Sequence, residues 1–510
     1  MILSRQNIKS IPSHPGVNIP DEKLLSLPEK VLQFGTGVLL RGLPDYFIDK
    51  ANKQGIFNGR IVVIKSTATG RVDSFDEQDG LYTVCVRGIE GETKIEENII
   101  NASISRVLSA KNEWEEILKC AANPELTVVI SNTTEVGITL IKDNIHSSPP
   151  ESFPGKLLAF LYRRYKNFQG DKEKGMVIVP TELIVDNGNK LKNILLELAK
   201  QNELEIAFID WLATNNYFCN SLVDRIVPGK LPQEQQEQIE KELGYQDKLM
   251  IMSEVYRLWA IESNEPKVND ILSFSQADRG IVIARNINTF RELKLRLLNG
   301  SHTFSCGLAH LCGFVTVKEA MDNKTFANYI SGLMMQEIAP AIVNDKVTIE
   351  MAKDFAGKVI DRYRNPHIEH QWLSISVQYS SKMRMRNIPV IKKYYQQFGT
   401  TPEYMVLGFA AFLLFMKAEK DSDGKFIGEV NGKKYTINDD NILLYAEKRR
   451  RLNTDDFVNE ILADENLWES DLSKLPGFAE SVINMIHLLE KDGALVTLTK
   501  IVSPKIIEQS

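Results

Sequence analysis

Val31-Leu32-Gln33-Phe34-Gly35-Thr36-Gly37-Val38-Leu39-Leu40-Arg41 decides the fold. The strand-like run Val31–Phe34 leads without a break into Gly-x-Gly, and a helical pattern follows over Leu39–Asn52. Two glycines let a main chain turn tightly and approach a pyrophosphate, whose charge the start of the helix favours. Phe34, Gly35, Thr36, Gly37, Leu40 and Arg41 are therefore candidate cofactor-binding residues. The third glycine of the usual fingerprint is missing, and Leu40 stands in its place.

Outward from this turn the same alternation repeats. Ile61–Ile64, Val128–Ile130, Met176–Val179 and Ile281–Ala284 are strand-like, with helical patterns at Lys156–Tyr165 and Lys190–Lys200. Strand, helix, strand repeated in this way predicts a parallel sheet covered on both faces, an α/β Rossmann-type domain over residues 1–285. The second strand of such a sheet ordinarily ends in an acid for the adenosine ribose. Lys65, Ser66 and Thr67 follow here instead, so NAD is expected with NADP left open, because Lys65 or Arg71 would suit a 2′-phosphate. Ser131, Asn132, Thr133 and Glu135 follow the third strand, where polar groups flank a nicotinamide.

From about residue 286 the period changes to that of helices, over Phe290–Cys312, Thr325–Ile338, Thr348–Arg364 and Glu403–Glu419. A mainly α-helical substrate and catalytic domain is expected over 286–510. The apolar run Met405–Met416 is too short to cross a bilayer and reads as a buried helix. Asn431-Gly432, between Phe426–Val430 and Lys433–Ile437, predicts a β-hairpin.

Composition narrows the function classes. A net charge of −6 over 510 residues argues against nucleic acid or an anionic membrane as partner. The five cysteines are irregularly spaced, without CxxC, so neither a disulfide framework nor a zinc knuckle is expected. No signal-peptide core stands at the N-terminus. A cytoplasmic protein, monomeric or a small homo-oligomer, with a small-molecule substrate, is the expectation.

Lys294-Leu295-Arg296-Leu297-Leu298-Asn299-Gly300-Ser301-His302 carries the chemistry. It gathers a base, an amide able to hold an oxyanion, and an imidazole. On a regular α-helix Asn299 would fall roughly 140° and His302 roughly 80° from Lys294, within one sector. A lysine against apolar surface loses solvation and becomes a better general base, which alcohol oxidation needs as hydride leaves carbon. Gly300, unfavourable inside a helix by about 1 kcal/mol, suggests a close approach to the backbone there. Arg364, Lys382, Arg384 and Arg386 supply cations suited to a carboxylate. His367 and His370 flank Glu369, but no third ligand is apparent and no metal is expected.

Gly-Thr-Gly-Val-Leu-Leu-Arg, Ser131–Glu135, Val223–Pro228 and the Lys-x4-Asn-x2-His stretch together resemble the mannitol dehydrogenase family, the polyol-specific long-chain dehydrogenases. Thr181–Ile184, Arg364–Gln371 and Ser381–Arg386 are most similar to its hexuronate-reducing branch. The resemblance implies a metal-independent NAD enzyme with Lys294 as general base, Asn299 and Asn187 around the oxyanion, and His302 and Asp224 near the substrate. It implies a hexuronate or aldonate substrate; which hexuronate epimer, or a neutral polyol, stays open. The competing class is a nucleotide-binding regulator that kept the fold without catalysis.

Overall fold

The computed structural model describes residues 1–12, 16–66, 73–133 and 137–503. The chain divides into two units, Met1–Gly88 with Lys94–Ile287, and Ile89–Thr93 with Asn288–Ser510. In the first, β1 (Glu29–Phe34), β2 (Arg60–Lys65), β3 (Ile104–Ser109), β4 (Val128–Ser131), β5 (Val177–Pro180) and β6 (Tyr217–Phe218) form one sheet. Its order is β3-β2-β1-β4-β5-β6 and every neighbouring pair is parallel. The direction of winding reverses between β1 and β4, the switch point at which such sheets bind ligands.

The strands are apolar throughout because both faces are buried. Side chains alternate across a strand, so Val31, Ile61, Val63, Val128 and Ile130 enter one core with Phe47 and Ile48 of α2 (Pro44–Lys53). Leu32, Phe34, Val62, Ile64 and Val129 enter the other. There they meet Leu157 and Phe160 of α3 (Phe153–Asn167), Leu191 and Leu195 of α4 (Asn187–Gln201), and Phe208 of α5 (Ile206–Asn215).

Ile281–Ala284 departs from expectation. It pairs with Leu258–Glu262 in a separate three-stranded sheet that also holds Ser221–Asp224. A short apolar run shows that a strand is buried, not which sheet takes it. Tyr82–Glu90 and Thr93–Asn101 lie in a further four-stranded sheet that the sequence did not suggest; the second of these is largely polar and exposed.

The second unit is helical. In chain order its relevant parts are α6 (Asn288–Leu293), a π-helical turn (Lys294–Gly300), α7 (Ser301–Leu311), α8 (Ile349–Tyr363), α9 (Tyr379–Lys382), a π turn (Met383–Asn387), α10 (Ile388–Phe398) and α11 (Glu403–Phe415). The sequence predicts one regular helix over Phe290–Cys312; the π turn interrupts it. α11 is buried from Met405 to Leu413, as its unbroken apolar run requires. The hairpin forms with Val430 opposite Lys433, and Asn431 and Gly432 take φ of 51° and 75°, the primed-turn geometry that Asn-Gly favours. Among the described residues no helix is long and apolar enough to cross a membrane.

Buried Glu337 caps α11, its carboxylate oxygens each accepting at 2.8 Å from the amides of Tyr404 and Met405. Burial nevertheless pushes its carboxyl up to about 8. The folded state then holds a proton that the unfolded chain loses near its ordinary pKa of about 4.3. This contribution to stability is present below that value and is lost as pH rises towards 8. Asp45, raised to about 7 by burial, acts with the same sign. Glu337→Gln should therefore flatten the fall of melting temperature with pH across this window without abolishing it. An unchanged slope would assign the dependence elsewhere.

Candidate active site

Phe34 of β1 stands in register with Ile64 of β2 and Ser131 of β4, and Ser131 with Pro180 of β5. The carboxyl ends of four strands thus form one row, and Gly35 leaves it first. Gly35 has φ of 124°, and a Cβ there would meet Leu40 Cδ1 at 2.9 Å and the Asn132 carbonyl oxygen at 3.1 Å. Leu40 packs beneath the turn, which explains the side chain where a third glycine was expected. Gly37 precedes the short helix α1 (Val38–Gly42), and a Cβ there would meet nothing within 4 Å. That open side is the space a pyrophosphate needs.

The expected cofactor residues divide by position. Gly35, Thr36, Gly37, Lys65, Asn132 and Thr133 are partly or fully accessible, whereas Phe34, Leu40, Arg41 and Ser131 are buried. Phe34 lies edge-on to Phe153 in the core. Arg41 turns inward, donating to the Leu249 carbonyl at 2.6 Å and lying over the rings of Tyr82 and Phe75. At the end of β2, Ser66 Oγ is buried and has no hydrogen-bond partner among the described residues. Glu135 and Arg71 lie outside the described residues.

Glu182, missed in the sequence, organises the loop after β4. One carboxylate oxygen accepts from the Thr133 amide at 2.8 Å and its hydroxyl at 3.0 Å, the other from Ser131 Oγ at 3.1 Å. Asn132 Nδ2 donates to Thr181 O and Oγ1. Its signal was present in Thr181-Glu182, directly after the strand. Asn187 is fully buried, its Nδ2 donating to the carbonyls of Pro180, Glu182 and Ser221 and its Oδ1 accepting from the amides of Gly188 and Ser221. Its amide therefore holds β5 to the strand Ser221–Asp224. Gly188 must lack a side chain, since a Cβ would sit 2.5 Å from the Cys219 carbonyl carbon. Asp224 is buried at the end of that strand.

In the second unit the π turn changes the geometry expected for Lys294 and Asn299. A π turn closes i to i+5, so residues five apart lie nearer to one face than the roughly 140° separation of a regular α-helix. Both are half-buried. Gly300 faces Asn387, whose Oδ1 lies 3.1 Å from where a Cβ would stand; this is the close approach the glycine foreshadowed.

His302, on α7, stacks on Tyr363 with centroids 4.2 Å apart, and lies edge-on to His370 at 5.1 Å and Trp372 at 6.0 Å. Its Nε2 is buried and has no hydrogen-bond partner among the described residues. Burial, then His370, Arg362, Arg386 and Lys382, hold its pKa well below the ordinary value, so the ring is neutral near pH 7. Burial first, then Lys382 and Arg362, also lowers His370. Arg386 donates to Thr303 Oγ1 at 3.1 Å, and Lys382 Nζ to the Ile375 carbonyl at 2.9 Å.

Of the four cations expected around a carboxylate, Lys382 and Arg386 belong to this group. Arg364 is exposed, and Arg384 lies 3.8 Å from Glu469. Arg362, buried two residues before Arg364, was missed; the helical period of α8 turns it inward beside Tyr363. His370 belongs with His302, and among the described residues no group of three or more His, Cys, Asp or Glu side chains is placed to hold a metal ion.

Lys294 and Asn299 are half-buried in one π turn, and the buried neutral imidazole of His302 follows on the adjoining helix. The class is that of oxidoreductases acting on CH–OH groups. Comparison with known proteins agrees: residues 29–272 match the mannitol dehydrogenase Rossmann domain and residues 286–489 the mannitol dehydrogenase C-terminal domain. An altronate oxidoreductase from Bacillus subtilis (strain 168) is 36% identical over 476 residues, covering 92% of this chain and 95% of that protein. One from Escherichia coli O7:K1 (strain IAI39 / ExPEC) is 35% identical, covering 91% and 95%. The chain belongs to the mannitol dehydrogenase family. Among solved structures, the Pseudomonas fluorescens mannitol 2-dehydrogenase ternary complex with NAD and D-mannitol aligns over 99% of this chain and 100% of that one, with 22% identity and a TM-score of 0.65. A substrate-free D-sorbitol dehydrogenase aligns over 98% and 100%, with 18% identity and a TM-score of 0.74.

Glu182→Ala leaves the Thr133 amide and the Ser131 hydroxyl without their acceptor. A loss of about 1–3 kcal/mol is expected on denaturant unfolding, with weakened NADH binding by fluorescence titration; wild-type values for both would show that the loop is held otherwise.

Proposed function

We propose that the chain is an NAD-dependent tagaturonate reductase, oxidising altronate in the reverse direction, with Lys294 as general acid and base. Altronate oxidoreductases that match nearly the whole chain support this reading. The observation that carries the acid substrate is the group of bases around His302, namely His370, Arg362, Arg386 and Lys382. An aldonate or hexuronate carries a carboxylate that such a group recognises, and guanidinium forks match it best.

The first unit offers the glycine turn, the open face at Gly37 and the unpartnered Ser66 hydroxyl to a dinucleotide. When bound, NAD(H) supplies or accepts the hydride. In reduction Lys294, as ammonium, gives a proton to the ketone oxygen; in oxidation it takes the hydroxyl proton. Asn299, one π turn further on, donates to that oxygen, and a preorganised donor of this kind stabilises charge as it develops. Asn187 uses both amide hydrogens on main-chain carbonyls, so it acts by holding the strand ends in place. Asp224 remains a candidate for a substrate hydroxyl.

Coupled assays with tagaturonate, fructuronate and fructose, each with NADH and NADPH, test the reading. Preference for tagaturonate and NADH is expected, and turnover of fructose alone would overturn the acid substrate. Lys294→Ala should lower kcat by about 100-fold or more while NADH still binds; near-normal turnover would remove lysine from the role. The pH dependence follows from His302 and His370, both held neutral by burial and by neighbouring bases. A bound carboxylate favours their protonation, so binding takes up protons and strengthens as pH falls. KM for the uronate should decrease as pH falls below the ordinary histidine value of about 6.5, towards the lowered values of the free protein; an increase over this range would contradict the assignment.

A further inference from the structure

We propose that Arg296 is a positioning residue that fixes the register between the turn carrying Lys294 and Asn299 and the turn carrying Arg386, directly after Lys382. Its consequence for an acid substrate rests on the function proposed above; its consequence for turnover does not.

A π turn inserts a residue into the i→i+4 ladder and so leaves carbonyls without their usual helical partner. In the turn Met383–Asn387 the carbonyl oxygens of Met385, whose i+4 residue is Pro389 and has no N–H, and of Arg386 each accept from Arg296 Nη1 at 2.8 Å. Arg296 is buried within the other π turn, Lys294–Gly300, and its Nε donates to Glu292 Oε2 at 3.2 Å, which fixes the plane of the fork. The contact is reciprocal. Arg386 Nη1 donates back to the Asn299 carbonyl at 3.4 Å and to Thr303 Oγ1 at 3.1 Å.

Each π turn therefore presents an arginine to the main chain of the other. Gly300 permits the approach, because a Cβ there would crowd Asn387 Oδ1 at 3.1 Å and lie 4.0 Å from the Arg386 carbonyl. Arg296 touches two backbone carbonyls and a carboxylate, so it acts on the reaction through Asn299, Lys294, Lys382 and Arg386. A shift of one turn past the other changes the distance between the proton-transfer group and the anion-binding cations. That distance must match the separation of carbonyl carbon and carboxylate in the substrate.

The test uses the full chain with Arg296→Lys and Arg296→Ala, each checked by thermal melting and NADH titration. An ammonium keeps the charge without the planar fork. For whichever ketose the wild type reduces, kcat should fall by about 100-fold in both variants, with NADH affinity unchanged. KM for an acid substrate should also rise, and guanidinium ion added to Arg296→Ala should restore kcat at least about fivefold. Two results would overturn the proposal: turnover within about twofold of wild type in either folded variant, or a loss with unfolding that guanidinium does not relieve. Failure of the substrate assignment would appear in the wild type, as absence of uronate reduction, and leaves the kcat and rescue measurements as they stand.

Discussion

The π turn Lys294–Gly300 is the constraint on which the arrangement of the second unit's candidate residues depends. In a regular α-helix Lys294 and Asn299 would diverge by roughly 140°; the wider π turn Lys294–Gly300 brings them nearer to one face. The insertion has a cost, since carbonyls lose their regular partners and a glycine must stand where Asn387 packs. Both costs are met locally, by arginine side chains directed at main-chain oxygen. The distortion persists because its surroundings are built around it.

The first unit solves a different problem with similar means. A dinucleotide turn needs main chain free of side chains on one side and firm support on the other. Gly35 is closed in by Leu40 and Asn132, while Gly37 is open. Support continues along the row of strand ends, where Glu182 gathers Ser131 and Thr133 and Asn187 joins β5 to the strand Ser221–Asp224. Buried side chains spent on backbone amides and carbonyls keep loop geometry fixed where no regular ladder can. Polar residues at strand ends thus divide into those that bind and those that hold. Their hydrogen-bond partners separate the two groups.

Legibility in the sequence followed the range of the interaction. Val31–Arg41 reads correctly because strand, turn and helix are local patterns, and Asn431-Gly432 because its turn geometry is set by two residues. Ile281–Ala284 reads as a strand but not as a member of its own sheet, since pairing is long-range. The same limit hid the partition of the cations. Arg364 and Arg362 are two apart in sequence, yet only Arg362 faces the neighbourhood of His302. Phe34, Leu40 and Arg41 lie in the matching motif and are nonetheless turned into the core. A motif marks the segment, and the direction of each side chain is decided by packing.

A buried neutral imidazole among bases is a costly arrangement for a protein that binds nothing there. Desolvation and four neighbouring bases all oppose its protonation, and its Nε2 has no hydrogen-bond partner among the described residues. A buried polar atom left unpaired costs about 1–3 kcal/mol, which the ring's packing on Tyr363 must offset. On the function proposed here, an anion in the neighbourhood would offset the cations, favour the charged ring and accept a hydrogen bond from it. On that reading, the desolvation borne in the free protein favours an acidic ligand, while a neutral polyol would recover only the hydrogen bond. The surroundings of His302 would in this way favour a sugar acid over its uncharged counterpart, which is the preference the proposed function requires.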